Sequence, residues 1–243
     1  MVQPDDAIVM LATLTPDKGR DIATLMKNLT MMQTVCAAVE KSGCAHLIYF
    51  SSDAVYDSGV SRVTEDTPAS PQDLYGTMHH TREVMARSLG EVPVLVLRPT
   101  VVYGADDTHN SYGPNRFRRA AQKDGEITLF GDGEETRDHI HVDDIAALTL
   151  RCLFHKSAGT LNAATGVSNS FYEVAEMVAA QFGNQVEVIT TPRVAAMARD
   201  GIQLIAERSE PVVDEEELGD QGRSAEEVDI GIGESGENGV VRH

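Results

Sequence analysis

The feature that most constrains the fold is a repeated alternation of short apolar runs with helical patterns. The apolar runs cover residues 7–12, 47–50 and 92–97, and continuous runs of this length are typical of strands buried on both faces of a parallel sheet. Apolar residues recur with helical spacing over residues 21–41 and 75–89, between those runs. Strands joined through helices by right-handed crossovers predict a doubly wound α/β sheet.

Polar side chains stand where the second apolar run ends. Ser51, Ser52 and Asp53 follow that run directly, and open α/β sheets bind their ligands at the carboxyl ends of the strands. Tyr75 and His79 lie four residues apart at the start of the second helical segment, so they share one face of that helix. The sequence therefore predicts that a serine hydroxyl and a tyrosine phenol meet over one pocket.

A series of short motifs runs through the chain in a fixed order. They are Ser51-Ser52-Asp53-Ala54-Val55-Tyr56, Tyr75-Gly76, Leu97-Arg98-Pro99-Thr100-Val101-Val102-Tyr103-Gly104, Gly113-Pro114-Asn115, Phe130-Gly131-Asp132-Gly133, Thr136-Arg137-Asp138, His141-Val142-Asp143-Asp144 and Asn162-Ala163-Ala164-Thr165-Gly166. In that order, over roughly residues 7–190, they resemble the extended short-chain dehydrogenase/reductases, the NAD-dependent sugar-nucleotide epimerases, dehydratases and reductases. The resemblance implies an incomplete Rossmann-like doubly wound parallel sheet with a small substrate lobe, and NAD as the cofactor, with NADP as the alternative.

The resemblance also implies a role for each polar residue of the pocket. Tyr75 is expected to act as general base on a sugar hydroxyl, and Ser52 is expected to donate a hydrogen bond to the same oxygen. His79 stands where the family has a lysine; it is either a weaker catalytic and cofactor-binding substitute or a structural residue, because a neutral imidazole supplies less positive charge. Asp53 is either an acid, as in dehydratase-like relatives, or a solvated turn residue.

Further positions are implied in binding. The expected cofactor-binding residues are Ala12, Ser51, Tyr75, His79, Pro99 and Val102. Arg137 and Asn115 are expected to bind the diphosphate of a nucleotide-linked sugar, since a guanidinium group binds phosphate oxygens in a fork. The alternatives for these two residues are a surface ion pair and a loop cap. No metal site is expected, because His139 and His141 have no third ligand at a suitable spacing.

The glycine-rich turn that binds the cofactor's pyrophosphate is expected after a first strand and before a helix. No glycine precedes Ala7, so the first part of the Rossmann-like core is expected to be absent. One literal Gly-x-Gly-x-x-Gly match exists at residues 231–236. It follows no apolar run and neighbours glutamates that would repel phosphate, so it is not expected to bind a dinucleotide.

Composition limits the partners and divides the chain. Thirty-eight acidic against twenty basic residues give a formal charge of -18, which argues against nucleic acid and anionic membranes as partners. Residues 205–243 carry twelve of the acidic residues and three arginines, and are predicted to form an acidic disordered tail. The other expected boundaries are a Rossmann-like core at residues 1–104 continued by 136–166, and a substrate lobe at 105–135 and 167–204.

Cysteine content and the absence of apolar spans bear on location. The three cysteines, Cys36, Cys44 and Cys152, are scattered and odd in number, which is typical of reduced thiols. No run approaches the ~18 apolar residues of a membrane span, and the N-terminus has no signal-peptide pattern. These observations predict a cytoplasmic protein.

Two functions follow from the sequence. The first is an NAD-dependent epimerase/dehydratase-type oxidoreductase acting on a nucleotide-linked sugar. The second is a truncated or degenerate relative that binds a sugar nucleotide or a partner protein without turnover, as the missing glycine turn and His79 suggest. The resemblance also implies a possible homodimer formed through the helices at residues 21–41 and 75–89.

Overall fold

The computed structural model describes residues 2–107, 113–192 and the backbone of the strand Gly239–Val241. Its main sheet has five strands in the order β10-β1-β2-β3-β7. The strands are β1 (Ala7–Met10), β2 (His46–Phe50), β3 (Val94–Pro99), β7 (Gly159–Ala163) and β10 (Gly239–Val241). The first four are mutually parallel, and β10 runs antiparallel to β1.

Helices cover both faces of this sheet, as the alternation in the sequence predicts. Ile8, Met10, Leu47 and Tyr49 point to one face, where they pack against α1 (Ile22–Ser42) and α2 (Leu74–Arg87). The intervening strand residues, including Val9, Ile48, Leu95 and Leu97, point to the other face and pack with residues of α4 (Val142–Phe154). Burial of each large apolar side chain contributes about 1.5–3 kcal/mol, so the alternation along β1 and β2 fixes their register.

The helix ends follow the local sequence. Asp21 caps α1 by accepting a hydrogen bond from the Thr24 backbone N–H at 2.8 Å, and Gly43 ends α1 with φ = 73°, a conformation that favours glycine. Asp73 caps α2 by accepting from the Gly76 N–H at 2.8 Å. Both helices agree with the predicted segments to within two residues.

The helix α4 begins differently from the sequence-based expectation. By sequence, Asp143 or Asp144 is the predicted N-cap of a helix over residues 145–154, and that prediction is wrong. The cap is His141, whose Nδ1 accepts the Asp143 backbone N–H at 3.2 Å. The helix therefore starts at Val142, and both aspartates lie in its first turn, where their charge complements the positive end of the helix dipole.

A second group of elements lies along the chain between and after the main strands. It comprises β4 (Val101–Tyr103), α3 (Pro114–Asp124), β5 (Glu126–Phe130), β6 (Thr136–His141), β8 (Ser168–Ser170), α5 (Phe171–Ala180) and β9 (Glu187–Thr191). They form a three-stranded sheet in the order β4-β6-β8 and a two-stranded parallel sheet of β5 and β9. Ser170 and Glu173 form a capping box at the start of α5, a pairing that their three-residue spacing in the sequence predicts.

The helices α3 and α5 share a separate apolar core with β5. Phe117 and Ala121 of α3 pack with Ile127 of β5 and with Val174 and Val178 of α5. This core contains none of the main-sheet residues. The connection after β4 therefore leads the chain away from the main sheet into a smaller packing unit.

The predicted acidic tail is described only at its last strand. Gly239–Val241 pairs with Ala7, Ile8 and Val9 of β1, so these three residues are ordered as a strand. The fingerprint match at residues 231–236 lies outside the described residues. Within the part of the chain that the structure describes, no helix is long and apolar enough to cross a bilayer, and Cys36, Cys44 and Cys152 are buried free thiols.

Candidate active site

The turn after β2 carries the predicted serines. Ser52 caps a short 3₁₀ turn, Asp53–Val55, by accepting the Ala54 N–H at 3.1 Å, and its hydroxyl donates to Asp53 Oδ1 at 3.1 Å. Ser51 is buried and donates to Glu83 Oε1 at 2.6 Å. Ser52 is therefore the half-exposed hydroxyl of the pair, whereas Ser51 is committed to an internal carboxylate.

The first turn of α2 is pressed against this Ser52 turn. A Cβ placed on Gly76 would lie 2.1 Å from the Ala54 carbonyl oxygen and 2.9 Å from Pro71 Cβ. No other residue fits at that distance without moving the backbone. The contact brings the segment that carries Tyr75 against the segment that carries Ser52.

Tyr75 lines a cavity of about 350 Å³ between the loop after β1 and the starts of α1 and α2. Its walls include Leu14, Arg20, Asn28 and Met78, and its size is within the range of small-molecule sites. Asn28 holds the wall in place, since its amide group both accepts from the Leu14 N–H at 2.8 Å and donates to the Leu14 carbonyl at 3.1 Å. Ser52 is not part of this wall, so the two predicted catalytic residues are on neighbouring segments without sharing that lining.

His79 is buried below Tyr75. Its side chain is 2% exposed, its ring makes an edge-to-face contact with Tyr75 at 4.6 Å between centroids, and its Nδ1 is hydrogen-bonded to the Tyr49 hydroxyl at 2.7 Å. Burial lowers the pKa of His79 to about 3, and the nearby Arg82 charge acts in the same direction. His79 is therefore neutral near pH 7, and its buried Nε2 has no hydrogen-bond partner in the described part of the chain.

Arg82, one turn further along α2, is fully buried. Its guanidinium donates to Thr13 Oγ1 at 2.8 Å and to the Ala12 carbonyl at 2.9 Å, at the end of β1. The group lies over the Tyr49 ring at 5.3 Å from the centroid. Ala12 thus contributes its carbonyl to an internal hydrogen bond.

A second buried arginine organises the base of the Ser52 turn. Arg98 donates to both Glu83 carboxylate oxygens, at 2.9 and 2.6 Å, and to the Tyr56 hydroxyl at 2.7 Å. Tyr56 in turn donates to Asn162 Oδ1 at 2.8 Å. Burial acts to raise the pKa of Glu83, but the hydrogen bonds and charge of Arg98 outweigh it and leave that pKa below its usual range.

Sequence reasoning missed this buried network. Glu83 and Arg98 are far apart in sequence, and only the parallel pairing of β2 with β3 aligns Ser51 and Arg98 under α2. One signal was available: charged residues within strongly apolar segments are costly to bury unless they are paired. An arginine ending the run at residues 92–97 and a glutamate on an apolar helix face were candidates for such a pair.

Asp53 is the first residue of the turn that Ser52 caps. Burial raises the pKa of Asp53, and the charge of Arg137 and a hydrogen bond from Ser52 offset that effect only in part. Arg137 is itself ion-paired with Glu135 at 2.6 Å and donates to the Thr136 carbonyl at 3.1 Å. The charge of Arg137 therefore acts on the half-buried carboxyl group of Asp53.

A second cavity, of about 220 Å³, lies between the end of β4 and the helices α3 and α5. Its lining includes Tyr103, Asn115, Arg118 and His141. The Asn115 side chain donates to Asp107 Oδ2 at 2.5 Å. Of the two predicted substrate-binding residues, Asn115 lines this cavity and Arg137 does not.

The remaining predicted cofactor contacts are at the end of β3 and in β4. Pro99 is half-buried at the end of β3, and Val102 of β4 is 37% exposed. Neither lines one of the two cavities described above. Among the described residues there is no cluster of three or more side chains suited to hold a metal ion.

The residues around the first cavity fit the nicotinamide end of a dinucleotide better than its pyrophosphate. The cavity is lined by Tyr75, and the nearby His79 Nε2 is a buried polar atom without a partner. In residues 2–107 and 113–192, no strand leads into a helix through a glycine-rich turn. The α1 start is instead capped by the Asp21 carboxylate, which repels phosphate.

Several known proteins are similar to this chain in sequence, and their names describe enzymes of nucleotide-linked sugars. A UDP-glucose 4-epimerase of Mycolicibacterium smegmatis is 30% identical over 154 residues, covering 60% of this chain and 49% of that protein. A dTDP-4-dehydro-6-deoxy-D-allose reductase of Streptomyces bikiniensis is 26% identical over 192 residues, covering 71% and 57%. The chain spans between 38 and 57% of the length of three of the most similar curated relatives.

The fold has solved counterparts as well. The structure described as MoeE5 in complex with UDP-glucuronic acid and NAD superposes with a TM-score of 0.70 at 24% identity, over 83% of this chain and 69% of that one. That likeness establishes the Rossmann-like fold. The family model described as the NAD dependent epimerase/dehydratase family matches residues 2–164, a stretch that contains Ser52, Tyr75 and both buried arginines. The chain therefore belongs to the NAD-dependent epimerase/dehydratase family.

Proposed function

We propose that this chain is the catalytic part of an NAD-dependent epimerase/dehydratase-type oxidoreductase that acts on a nucleotide-linked sugar. Tyr75 is its general base, and Ser52 is its hydrogen-bond donor. The observation that carries the proposal is the 2.1 Å approach between a Cβ at position 76 and the Ala54 carbonyl, in a member of this family. That approach leaves the Ser52 hydroxyl and the Tyr75 phenol on touching segments.

The reaction needs three groups around one carbinol carbon. The Tyr75 phenolate takes the proton of the sugar hydroxyl, and the Ser52 hydroxyl, released from Asp53, donates to the same oxygen. NAD, when bound, would supply the hydride acceptor. The first cavity, which Tyr75 lines, would hold the nicotinamide end. His79 would bind the cofactor's ribose only after its buried Nε2 became exposed.

Asp53 adds acid chemistry to this arrangement. Because burial raises its pKa, its carboxyl group keeps a proton to higher pH than an exposed aspartate. A protonated carboxyl next to Ser52 is suited to protonate a leaving hydroxyl, which is the acid step of a dehydration. Asp53 therefore favours a dehydratase among the reactions of this family.

The nucleotide-linked sugar is held by the smaller packing unit. Asn115 and Arg118 line the second cavity, and an arginine there suits a diphosphate. Arg137 lies beside Asp53 and would bind the sugar end of the substrate. In this division, residues 1–104 and 136–166 form the core, and 105–135 and 167–204 form the substrate lobe.

A homodimer is also part of the proposal. On α1, Ile22 is 69% and Met26 is 54% exposed, and on α2, Val84 is 56% exposed. Ile22 and Met26 are four residues apart and share one helix face. Exposed large apolar side chains on neighbouring helices favour a protein interface.

A second function is favoured by two specific observations. His79 is neutral, and the described residues offer no cradle for a pyrophosphate. A relative with these properties would bind a sugar nucleotide at the second cavity without turning it over. The two functions differ in whether the first cavity binds a nicotinamide.

Thermal unfolding with separated ligands tests the choice, because a ligand bound only by the native state raises the Tm. The proposed function predicts that NAD and nicotinamide mononucleotide each raise the Tm, by roughly 5–10 °C at a hundredfold excess over Kd. ADP-ribose, which lacks the nicotinamide, is the matched control and should have little effect. A shift with UDP-glucose alone would favour the non-catalytic binder, and a shift with ADP-ribose but not with the mononucleotide would contradict the nicotinamide site.

A further inference from the structure

Arg82 is a buried cation whose partners are all uncharged. Its guanidinium donates to the Thr13 hydroxyl and the Ala12 carbonyl and contacts the sulfur atoms of Met78 and Met10 at 3.8 and 3.9 Å. Its Nε has no partner, and within the described residues no carboxylate forms an ion pair with it. Burying a charge without an opposite charge beside it lowers the stability of the fold. A functional role for Arg82 would explain why the fold accepts this loss.

A continuous set of ring contacts connects this cation with Tyr75. The guanidinium lies 5.3 Å from the Tyr49 ring centroid, the Tyr49 hydroxyl is 2.7 Å from His79 Nδ1, and His79 is in edge-to-face contact with Tyr75. Burial lowers the pKa of Arg82, while the phenols of Tyr49 and Tyr75 act in the opposite direction. The Arg82 charge therefore acts on Tyr75 through a dry region, where electrostatic interactions are strong.

We propose that Arg82 is the positioning residue whose fixed positive charge favours the phenolate of Tyr75, in place of a cation at position 79. The inference rests on the proposed function, in which Tyr75 is the general base. Arg82 touches neither the cavity nor the reacting atoms, so its charge acts at a distance, across the buried region that contains the Tyr49 and His79 rings. It assigns a task to a cation that the fold otherwise buries without compensation.

Position 79 does not meet this need itself. A histidine with a pKa of about 3 carries no charge at neutral pH. Lysine and arginine keep their charge across that range, and Arg82 lies three residues further along the same helix, on an adjacent part of its face. The two residues thus divide the tasks: His79 makes the contact with Tyr75, and Arg82 supplies the charge.

Other charges around Tyr75 must be weighed against Arg82. They come from α2, the loop before α1 and the Ser52 turn, and are Asp73, Glu83, Arg20, Asp21 and Asp53. Four of these five are carboxylates, which disfavour a phenolate. Arg20 is the other cation, and it lies at the open cavity, where water screens its charge.

The experiment follows the ionisation of Tyr75 directly, without cofactor. The protein is labelled with ¹³Cζ-tyrosine, the Tyr75 signal is assigned with Tyr75→Phe, and each tyrosine is titrated by NMR. Tyr172, which is 44% exposed, is the internal reference. The expected result is that Tyr75 ionises at least tenfold more readily than Tyr172, and that Arg82→Gln removes most of this difference.

Three variants separate the possible sources of charge. Arg82→Lys should retain the low Tyr75 pKa, His79→Gln should change it little, and Arg20→Gln, the matched arginine control at the cavity, should also change it little. An unchanged Tyr75 titration in folded Arg82→Gln would overturn the inference, as would a larger effect from His79→Gln or Arg20→Gln. Should Arg82→Gln fail to fold, the other measurements still decide, because Tyr75 ionising no more readily than Tyr172 in the unmodified protein overturns the inference.

The outcomes also distinguish this inference from the proposed function. A low Tyr75 pKa that depends on Arg82, in a protein that binds no nicotinamide, keeps the inference and removes the function. Turnover by a protein whose Tyr75 ionises no more readily than Tyr172 would keep the proposed function and remove the inference about Arg82.

Discussion

His79 stands at the position where the family has a lysine, but it is buried and uncharged. It lies on the face of α2 that Tyr75 shares, as the four-residue spacing predicts, but it is 2% exposed and hydrogen-bonded to Tyr49. Its pKa of about 3 in the folded chain is well below the value near 6.5 of an unfolded histidine. Folding therefore favours the neutral form of the His79 imidazole over the charged form.

This preference predicts a pH dependence of stability. Between about pH 6.5 and 3 the unfolded chain binds a proton at His79 that the folded chain does not bind, so stability rises with pH across this window and is fully present above it. The contribution of one such group is up to about 1.4 kcal/mol per pH unit. We expect His79→Gln to flatten the dependence of the unfolding free energy on pH between 6.5 and 5, measured by urea denaturation.

His155→Gln is the matched control, because His155 is exposed at the end of α4. It should leave the slope of the unmodified protein intact. If His79→Gln and the unmodified protein have the same slope, His79 is not buried in its neutral form. The argument that Arg82 supplies the positive charge in place of position 79 would then fail as well.

At the residue scale, the spacing of residues predicted which side chains share a helix face. It did not predict how far each side chain is buried. Tyr75 and His79 were placed correctly relative to each other. The burial of Arg82, Glu83 and Arg98 depends on the register of β2 against β3 and on the fit of α2 over both strands. Neither is visible in one sequence, so the charged network below the Ser52 turn had to come from the structure.

The elements of the main sheet illustrate what local patterns determine. The capping box of Ser170 and Glu173 and the helix stop at Gly43 can be recognised in the sequence because each satisfies backbone groups within three or four residues. The α4 cap was predicted wrongly for the same reason: Asp143 and Asp144 are better caps in isolation, but the chain leaves β6 at His141. Tertiary placement of the strand end decided the start of the helix.

The contact between α2 and the Ser52 turn gives a prediction at the same scale. Gly76→Ala would place a Cβ 2.1 Å from the Ala54 carbonyl, which is backbone and yields only by moving the turn or the helix. We expect a loss of roughly 1–3 kcal/mol in unfolding free energy. Because the displaced segments carry Ser52 and Tyr75, the Tm increase caused by nicotinamide mononucleotide should shrink as well.

Gly59→Ala serves as the control for this change. A Cβ at position 59 would approach only Asp57 Oδ1, the end of a movable side chain, at 3.3 Å. It should cost much less stability and leave the ligand-induced shift unchanged. Equal effects of the two substitutions would mean that the close approach at Gly76 does not hold the site together.

At the scale of the whole molecule, the alternation of apolar runs and helices was sufficient to predict that β1, β2 and β3 run parallel in one sheet. It did not predict that Gly239–Val241 pairs antiparallel with β1, because a three-residue strand after a polar stretch has no periodic signal. The paired small sheets of β4–β6–β8 and β5–β9 were also beyond it. Their strands are three to six residues long, which is too short for a periodic pattern to predict which strands pair.

The whole molecule brings a half-exposed serine, a phenol at a cavity wall and a buried cation to one end of a family fold. We propose that this arrangement makes Tyr75 a general base for a nucleotide-linked sugar. General acid–base catalysis by a positioned side chain contributes about 10²–10⁴-fold in rate. The loss of the phenol hydroxyl should therefore be visible as a change of at least that order.

The most direct measurement is turnover of UDP-glucose and UDP-glucuronic acid with added NAD, followed by chromatography of the sugar nucleotides. The unmodified protein is compared with Tyr75→Phe and with the control Tyr172→Phe. We predict that the unmodified protein and Tyr172→Phe convert at least one substrate at similar rates and that Tyr75→Phe is at least about 100-fold slower. Equal rates for Tyr75→Phe and the unmodified protein, or no conversion of either substrate at saturating NAD, would contradict the claim.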